Sequence, residues 1–510
     1  MAQPPDHSIA TLKARYGERY RWLLLLSVMV GTMASIMSST IINVAIPDMS
    51  QHFTIGQARA QWVTSGFMAA MTVSMLTTPW LLSRYGYRRT YSGCMWLLLL
   101  GGVAGGFAND FALVLAARVA EGLAAGVVQP IPAIIILRAF EPHEQGRASG
   151  IFGMGVVLAP ALGPSMGGLL VDGFGWRSIF FMVVPFCIAS LWMAQRFVPG
   201  LSVAGSPQNR TPTSHPSSEA AGTALDWRGL LLATAGTLCL LNGLVELQTG
   251  TAASAATLLG SAALILVAFV VLQRRTLKAR QRHPDQGVDP LMNLSLFADR
   301  RFAMGSIVAF IYGIALFGST YLLPVYMQMG LGLSPSYVGT ILLPAGVVLA
   351  ITIAVVGRLA DRQPTHVLVS IGLVLLAVSF ALMFTIDLRR PTQIVPLLVV
   401  WAVLGRIGLG FILPSLNIGA MRGLGHAHIP QGASVINFLR MLGGAAGVSL
   451  CGIVLEWRVA AHGFRLDTAS PSPERLAAFD ETFFMLAAVC AVALIAALKL
   501  KSAAPAQGSK

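Results

Sequence analysis

The composition of this 510-residue chain excludes an ordinary soluble protein. Apolar residues make up 55% of the sequence and charged residues only 11%, whereas soluble domains average about 45–50% and about 25%. So few charges cannot cover the surfaces of the several soluble domains that this length would suggest. A formal net charge of +14 would favour nucleic acid as the partner of a soluble chain. The apolar content instead makes a lipid bilayer the expected partner, and no nucleic-acid partner is expected.

Fourteen apolar stretches follow one another along the chain, each about long enough for a membrane-spanning helix. A helix needs about 20 mainly apolar residues to cross about 30 Å of hydrocarbon. Lipid admits only helices and closed barrels, and these stretches are too long for barrel strands. The sequence therefore predicts an all-α membrane protein with 14 transmembrane helices. They are 22–46, 60–82, 91–108, 111–137, 148–171, 178–198, 229–248, 253–273, 302–325, 336–356, 366–386, 394–418, 431–455 and 482–498.

The basic residues predict the orientation of these helices. With both termini cytoplasmic, the inner loops and tails hold 25 of the 35 Lys and Arg residues, and seven lie outside. This is the positive-inside pattern. The basic residues before 22–46 resemble the start of a signal peptide, but the apolar run is too long for one, so we expect it to remain uncleaved. The dense basic stretch Arg274–Arg282 is interpreted as a topology signal, with binding of anionic lipid as the alternative.

Polar stretches predict two six-helix bundles with an inserted helix pair between them. The predicted divisions are a cytoplasmic tail (1–21), an N-terminal bundle (22–198), a cytoplasmic linker (199–228), the inserted pair (229–273), a basic cytoplasmic loop (274–301), a C-terminal bundle (302–498) and a second tail (499–510). The bundles carry matching residues, because Arg118 precedes Gly122 by four and Arg406 precedes Gly410 by four. Repeated six-helix bundles are typical of secondary transporters, whose substrate site lies between the halves.

A series of motifs lies in order on the predicted helices. They are STIINVAIP (39–47), WVTSGF (62–67), RVAEGLAAG (118–126), APALGPSMGG (159–168), GWRSIFFMVVP (175–185), DWRG (226–229), LLPVYMQMGLGLSPSYVG (322–339) and RMLGGAAG (440–447). With these motifs the chain resembles the major facilitator superfamily and, more narrowly, the fourteen-helix drug:proton antiporters of the EmrB/QacA type. The resemblance covers nearly the whole chain and implies the major facilitator fold.

The resemblance implies proton-coupled efflux of lipophilic or amphipathic compounds such as drugs, by alternating access. The first alternative is a major facilitator transporter of one defined metabolite or organic ion. A third class is a non-transporting membrane scaffold or receptor. We find no phosphate loop, zinc-type His motif or nucleophile elbow, and the five cysteines lack ligand-like spacing. We therefore expect no enzyme activity, no metal site and no cofactor, with a proton gradient as the energy source.

The ionisable residues of the fourth predicted helix are the candidates for proton coupling. Arg118 and Glu121 are three residues apart and so share a helix face, and charges inside a membrane usually face a pocket or a partner. Members of the family usually have Gln at the position of Glu121 and often have Asp at the position of Ser38. Glu121 is thus expected to carry or gate a proton, and the alternative is a permanent structural ion pair.

Polar residues on other predicted helices are candidates for the substrate pathway. These are Ser38, Thr40, Asn43, Gln129, Arg406, Asn417 and Asn437. Arg406 and Arg440 are candidates to contact anionic substrate groups, although Arg440 is also explained by helix packing. The asparagines are equally explained as bridges between helices.

Glycines, prolines and charged loop residues are candidates for conformational gating, with plain helix packing or loop anchoring as the alternative. Glycine lets helices approach closely and proline favours a kink. A carboxylate such as Asp361 can cap a neighbouring helix, whereas its counterpart in the first half is the uncharged Ser83. The candidates are Pro160, Gly163, Pro164, Gly167 and Gly168 of the antiporter motif, Ser83, Arg84, Gly86 and Arg88, Gly357, Asp361 and Arg362, and Arg440, Gly443 and Gly444.

The resemblance also bears on location and partners. It implies a multi-pass protein of the bacterial inner membrane that acts on small lipophilic substrates. EmrB-type relatives act with a periplasmic adaptor (membrane fusion) protein, so such a partner is a further expectation. The predicted outer loop 458–480 is the first place to look for its docking surface.

Overall fold

The computed structural model describes residues 9–60, 62–199, 224–249, 251–282, 288–463 and 473–500, and the regular elements in these ranges are helices. In chain order they are α1 Ile9–Tyr16, α2 Tyr20–His52, α3 Gln57–Ala60, α4 Trp62–Ser74, α5 Thr78–Gly106, α6 Phe111–Val128, α7 Ile131–Ala139, α8 Gln145–Phe174, α9 Ser178–Phe197, α10 Trp227–Thr249, α11 Ala252–Arg282, α12 Arg300–Val325, α13 Pro335–Ala360, α14 Thr365–Ala381, α15 Pro391–Met421, α16 Ile429–Ala461 and α17 Pro473–Leu498. Short 3₁₀ or π turns extend several of them.

Within the described residues, eleven helices are long and apolar enough to cross a membrane. The chain is therefore a multi-pass membrane protein, as the composition predicted. The three predicted crossings outside this set, 60–82, 91–108 and 148–171, are also largely helical. Gly86 interrupts α5 with a φ of 76°, a left-handed conformation that glycine adopts at little cost. This kink separates the second predicted crossing from the third.

The structure corrects two predicted loops. The stretch Arg274–Arg282, predicted to begin a loop, continues helix α11, because Arg, Lys, Gln and Leu favour helix even where they are too polar for lipid. The predicted outer loop 458–480 is shorter than expected, since α16 extends to Ala461 and α17 starts at Pro473. The apolar content of a stretch marks the part of a helix that can lie in lipid, whereas the helix itself continues into the flanking polar residues.

The helices pack as an N-terminal group (α2–α9) and a C-terminal group (α12–α17), with α8 and α13 packed against each other between them. Their contact is tight where α8 begins and α13 ends. A Cβ on Gly150 would lie 2.9 Å from the Gly357 Cα, so only glycine permits this approach. Farther along the two helices, a Cβ on Gly168, Gly339 or Gly346 meets no described atom within 4 Å. The groups are thus pressed together at one end, called the closed end below.

Candidate functional site

Two charged side chains and a serine form a compact cluster inside the N-terminal group. Arg118 and Glu121 of α6 form an ion pair between Nη1 and Oε2. Ser38 of α2 completes the cluster: its Oγ accepts a hydrogen bond from Arg118 Nη1 at 2.7 Å and donates one to Glu121 Oε2 at 3.1 Å. Arg118 Nη2 also donates to the Ser38 carbonyl at 3.0 Å. Each of the three residues is only 1% exposed, so the ion pair is withdrawn from bulk water.

Neighbouring helices enclose this cluster closely. The Arg118 guanidinium lies 4.2 Å from the ring centroid of Phe67 on α4, a cation–π arrangement that partly offsets the loss of water. A Cβ on Gly101 of α5 would lie 2.6 Å from Glu121 Cγ, so a glycine there makes room for the acidic side chain. Neither Phe67 nor Gly101 was singled out from the sequence, because nothing in the local pattern marks a residue that packs against another helix.

The space beside the ion pair is very small. A cavity of about 10 Å³ is lined by the three cluster residues and by Ile41, Ile42, Ile179, Phe180 and Val183. A cavity needs about 10–15 Å³ to hold one water molecule. The site therefore suits a proton or at most a single water in this conformation, and it is far too small for a drug-sized molecule.

The structure brings together Ser38 and Glu121, two positions at which the sequence departs from the pattern that it resembles. In the structure, the Glu121 carboxylate lies within hydrogen-bonding distance of Ser38. A carboxylate therefore lies beside position 38, and it comes from α6 instead of α2.

The C-terminal group contains two arginines in a different setting. Arg440 Nη2 donates to Asn437 Oδ1 at 2.8 Å, while its Nε is buried without a hydrogen-bond partner. Arg406 makes no hydrogen bond or ion pair with any described residue. Both lie near the Tyr312 phenol, and neither forms an ion pair with a carboxylate of the described residues. Within the described part of the chain, these two guanidinium groups therefore lack the carboxylate partner that Arg118 has.

A second cavity lies between the two groups of helices and brings several predicted pathway residues together. It has a volume of about 40 Å³ and is lined by residues of α7, α8, α15 and α16 and by Gln129. Gln129, Asn417, Asn437 and Arg440 supply its polar lining, and most of the remainder is apolar. Residues predicted separately from the sequence thus converge on one space between the halves.

Three other pathway candidates, Ser38, Thr40 and Arg406, are not among the residues that line this cavity. The Thr40 hydroxyl donates to the carbonyls of Ile36 and Met37 within its own helix, at 3.2 and 3.3 Å. The side chain of Asn43 lies outside the described part of the structure. Ser38 is held in the charge cluster, so its described contacts are with charged groups and not with a substrate-sized space.

Asp361 connects the two groups of helices at the closed end. Its Oδ1 accepts a hydrogen bond from the Gly146 N–H at 2.6 Å, and its Oδ2 accepts one from the Arg147 N–H at 2.8 Å. These amides belong to the first turn of α8, whose N–H groups have no partner within the helix. Partial burial raises the pKa of the Asp361 carboxyl, and the two N–H donors act in the opposite direction. Asp361 thus caps a helix of the other group.

The counterpart of Asp361 in the first half, Ser83 of α5, makes no such bond with the described residues of the other half. Ser83 is exposed and its hydroxyl donates to the Trp80 carbonyl at 2.8 Å. Near this segment, Arg138 makes a hydrogen bond across the two groups: its Nη2 donates to the His426 carbonyl at 2.6 Å. Among the other predicted gating residues, Arg88 donates to the Gln195 carbonyl at 2.6 Å, while Arg84 and Arg362 are exposed.

Comparison with known proteins decides the family. A family model described as Major Facilitator Superfamily matches residues 28–448. The chain belongs to the Major Facilitator Superfamily. Among its relatives in the superfamily, the lincomycin resistance protein LmrB of Bacillus subtilis is 26% identical over 496 residues, covering 96% of this chain and 98% of LmrB. The multidrug resistance protein B homolog of Mycobacterium tuberculosis is 27% identical over 448 residues, covering 87% and 78%.

Solved structures of the superfamily share the fold at low sequence identity. The human organic anion transporter MFSD10 superposes with a TM-score of 0.61 at 15% identity, covering 97% of this chain and 100% of that one. The proton:xylose symporter XylE superposes with a TM-score of 0.62 at 11% identity, covering 94% and 95%. These likenesses establish the major facilitator fold and nothing further. As a transporter of this superfamily, the chain is not an enzyme.

The motif APALGPSMGG (159–168) lies on α8 of the major facilitator fold, and its described glycines make no close contact with the other half. A Cβ on Gly167 would lie 2.7 Å from Ile41 of α2, in the same half, and one on Gly168 meets no described atom within 4 Å. The side chains of Pro160 and Pro164 and the surroundings of Gly163 lie outside the described residues. Among the described residues, the close contact between the halves is made by Gly146, Gly150 and Gly357 at the closed end, and a gating role of the motif stays a prediction.

Two further predicted gating residues serve packing within the C-terminal half. A Cβ on Gly443 would collide with the Phe310 carbonyl, and one on Gly444 would collide with the Phe317 ring. Both contacts hold α16 against α12, and α12 and α16 form one of the most extensive helix pairs in the structure. Arg440, one turn earlier on α16, is the member of this group that faces the cavity.

Proposed function

We propose that this chain exports lipophilic or amphipathic compounds, drugs among them, in exchange for protons. It does so by alternating access in the inner membrane of a bacterium, with 14 transmembrane helices arranged as two six-helix bundles and an inserted pair. Relatives named for lincomycin resistance and multidrug resistance, aligned over most of this chain, support export as the direction. Both termini are assigned to the cytoplasm, and so is the closed end, because the basic residues concentrate there.

The observation that carries the proposal is the buried ion pair of Arg118 and Glu121. A carboxylate and a guanidinium withdrawn from water stabilise each other only while both are charged. Protonation of Glu121 removes its charge and leaves Arg118 with the Ser38 hydroxyl and carbonyl as its remaining polar partners in α2. The free energy of the cluster therefore depends on whether a proton is bound. That dependence couples a proton to the packing of α2 against α6.

The closed end supplies the conformational part of the mechanism. Asp361 and the glycine contact between α8 and α13 hold the two groups together there, which favours a state open to the opposite side. A ligand shifts such an equilibrium only by binding one state more tightly than the other. Proton entry from outside and substrate entry from the cytoplasm would then favour opposite states, which is the requirement for exchange.

The proposal is tested with inside-out vesicles that contain the protein and are energised by a pH gradient. We expect gradient-dependent uptake of several compounds from a panel of lipophilic dyes and drugs, and collapse of uptake when the gradient is dissipated. Uptake restricted to one metabolite would favour the alternative of a dedicated transporter. Absence of gradient-dependent uptake of every compound would contradict export by proton exchange.

The periplasmic adaptor stays a prediction. The outer end near α16 and α17 is the region to cross-link, and recovery of a membrane fusion protein with the full-length chain would support it. A transporter that confers full resistance in cells lacking every such adaptor would contradict it.

A further inference from the structure

The middle of the C-terminal group contains two arginines, Arg406 and Arg440, that have no carboxylate partner among the described residues. Arg406 precedes the last residue of α15 by 15 residues, and Arg440 follows the first residue of α16 by eleven. At 1.5 Å per residue they lie about 22 and 16 Å from the closed end, near the centre of a bilayer about 30 Å thick. The acidic residues described in α16 and the neighbouring α17, namely Glu456, Glu474, Asp480 and Glu481, lie toward the opposite end.

Comparison with the first half shows what is missing beside Arg406. Arg118 and Gly122 correspond to Arg406 and Gly410, and three residues after each arginine the chain has Glu121 in one half and Leu409 in the other. Leu409 is 1% exposed, so the position that neutralises the arginine in the first half is buried and apolar in the second. The second half therefore has an arginine at the matching position but lacks the carboxylate that pairs with it in the first half.

A guanidinium at this depth that has no carboxylate partner is expected to bind an anion. Charges inside a membrane are costly and normally have a partner or face a cavity. A guanidinium has five N–H donors, arranged to bind a carboxylate through two parallel hydrogen bonds. Among the described residues, Arg440 donates a hydrogen bond to Asn437 and Arg406 donates none. Donors for an incoming anionic group are therefore available.

The surroundings of Arg440 define the rest of the ligand. The cavity it lines also includes apolar side chains of both halves, among them Ile136, Phe152 and Leu413. At about 40 Å³ the cavity is contracted in this conformation, compared with about 300 Å³ or more for sites of drug-sized ligands. Because its walls belong to both halves, separation of the halves would enlarge it. An apolar body beside an anionic group matches such a lining.

We propose that the transported compounds are amphipathic anions, such as lipophilic carboxylates and other weak acids in their charged form. Arg440 holds the anionic group, Arg406 adds positive charge in the same half, and the apolar lining between the halves holds the body. This inference rests on the proposed export function and adds the chemical class of substrate. Binding of a small inorganic anion such as chloride by the same guanidinium groups is the competing source of negative charge.

The test uses matched probes that differ only in the head group. Pyrenebutyrate, pyrenebutanol and pyrenebutylamine share the pyrene ring and the alkyl chain but are anionic, neutral and cationic. Their gradient-driven uptake is measured in inside-out vesicles with the full-length chain, first in chloride buffer and then with gluconate in place of chloride. We expect the carboxylate to be taken up at least about tenfold faster than the alcohol or the amine, independently of chloride. About tenfold corresponds to about 1.4 kcal/mol of discrimination.

Four variants at two positions test whether the arginines cause the preference for the anion. Arg440→Gln is expected to reduce uptake of the carboxylate about tenfold, and Arg440→Lys is expected to retain part of it, because a lysine keeps the charge without the two-pronged geometry. Leu409→Glu recreates beside Arg406 the pattern of the first half and is expected to abolish the preference for the anion. Leu409→Gln, of the same size but uncharged, is the matched control for folding and should keep the preference.

Each outcome bears on one claim. Equal or faster uptake of the alcohol or the amine overturns the inference but leaves proton-driven export standing. Carboxylate uptake that requires chloride, or is unchanged in Arg440→Gln and Leu409→Glu, assigns the guanidinium groups to another role and also overturns it. No gradient-driven uptake of any probe or of the drug panel counts against the proposed export itself.

Discussion

Corresponding arginines in the two halves of this transporter differ in whether an acidic residue balances their charge. Arg118 is paired with Glu121 and Ser38, and all three residues are only 1% exposed. Arg406, at the matching position of the second half, has Leu409 in place of the acidic residue and no described hydrogen-bond partner. A guanidinium whose charge is balanced within the protein suits a role in proton binding. One whose charge is left unbalanced suits a role in binding an anion.

The two halves also differ in the loops that follow their second helices. Asp361 in the second half caps α8 of the first half through two backbone N–H groups, whereas Ser83 in the first half donates within its own helix, α5. A carboxylate at a helix N-terminus gains from the helix dipole as well as from hydrogen bonds, and serine gains from the bonds alone. The closed end is therefore held more firmly from the second half.

The largest effect is expected from Glu121→Gln. This change keeps the size of the side chain but removes its ability to ionise, so the cluster no longer responds to protons. We expect gradient-driven uptake to fall at least about a hundredfold, corresponding to about 2.7 kcal/mol, while substrate binding measured without a gradient persists. Glu246→Gln is the matched control, because Glu246 lies on α10 of the inserted pair and accepts a hydrogen bond from Ser254 there. Loss of uptake in both variants would mean that the effect is not specific to the cluster.

The stability of the protein should separate the two arginines. Arg118→Gln leaves Glu121 as a buried carboxylate without its cation, which costs about 3–5 kcal/mol in comparable buried pairs. Arg406→Gln leaves no described carboxylate without its cation and should change the free energy of unfolding by less than about 1 kcal/mol. The measurement is unfolding of the purified protein in detergent, followed by tryptophan fluorescence. Equal destabilisation by the two changes would remove the distinction between a balanced and an unbalanced arginine.

A smaller effect is expected from Asp361→Asn. The amide retains one acceptor oxygen but loses the charge at the α8 N-terminus, a change worth about 1 kcal/mol, or about a fivefold shift toward opening of the closed end. The five native cysteines are first replaced, and spin labels are then placed at His143→Cys and His366→Cys to measure the distance distribution across this end. A distribution unchanged by Asp361→Asn would show that the glycine contacts alone hold the end closed.

The smallest effect is expected from Ser83→Ala in the same labelled protein. The Ser83 hydroxyl donates to the Trp80 carbonyl of its own helix, α5, so its removal should leave the distance distribution unchanged. An opening as large as that caused by Asp361→Asn would contradict the asymmetry between the two loops.

Much of the fold was predictable because membrane-spanning helices require long apolar stretches, which are visible in the sequence. Apolar runs such as 302–325 and 366–386 closely match helices of the structure, since lipid requires both apolar side chains and satisfied backbone groups. Helix ends were less predictable, as Arg274–Arg282 and Arg475 show. Charged residues outside the lipid can continue a helix just as they can form a loop, and only tertiary packing decides between the two.

The candidate site was predictable only in part. The spacing of Arg118 and Glu121 placed them on one face of a helix, and the structure pairs them. Their contact with Ser38, 80 residues away from Arg118, depends on how α2 packs against α6, which no local pattern encodes. The same is true of Asp361, whose partners are the Gly146 and Arg147 amides of another helix. Backbone groups carry no sequence signal, so a cap between distant helices is found only in the structure.

The central claim is that proton exchange requires one carboxylate in the cluster of Arg118, Glu121 and Ser38. Whether that carboxylate comes from α2 or α6 matters less. The double change Ser38→Asp with Glu121→Gln moves the carboxylate from α6 to α2, still within reach of Arg118. We predict that gradient-driven uptake in inside-out vesicles is lost in Glu121→Gln and restored substantially in the double variant. Uptake by Glu121→Gln at the rate of the unaltered protein would contradict the claim, because the exchanged proton would then bind elsewhere.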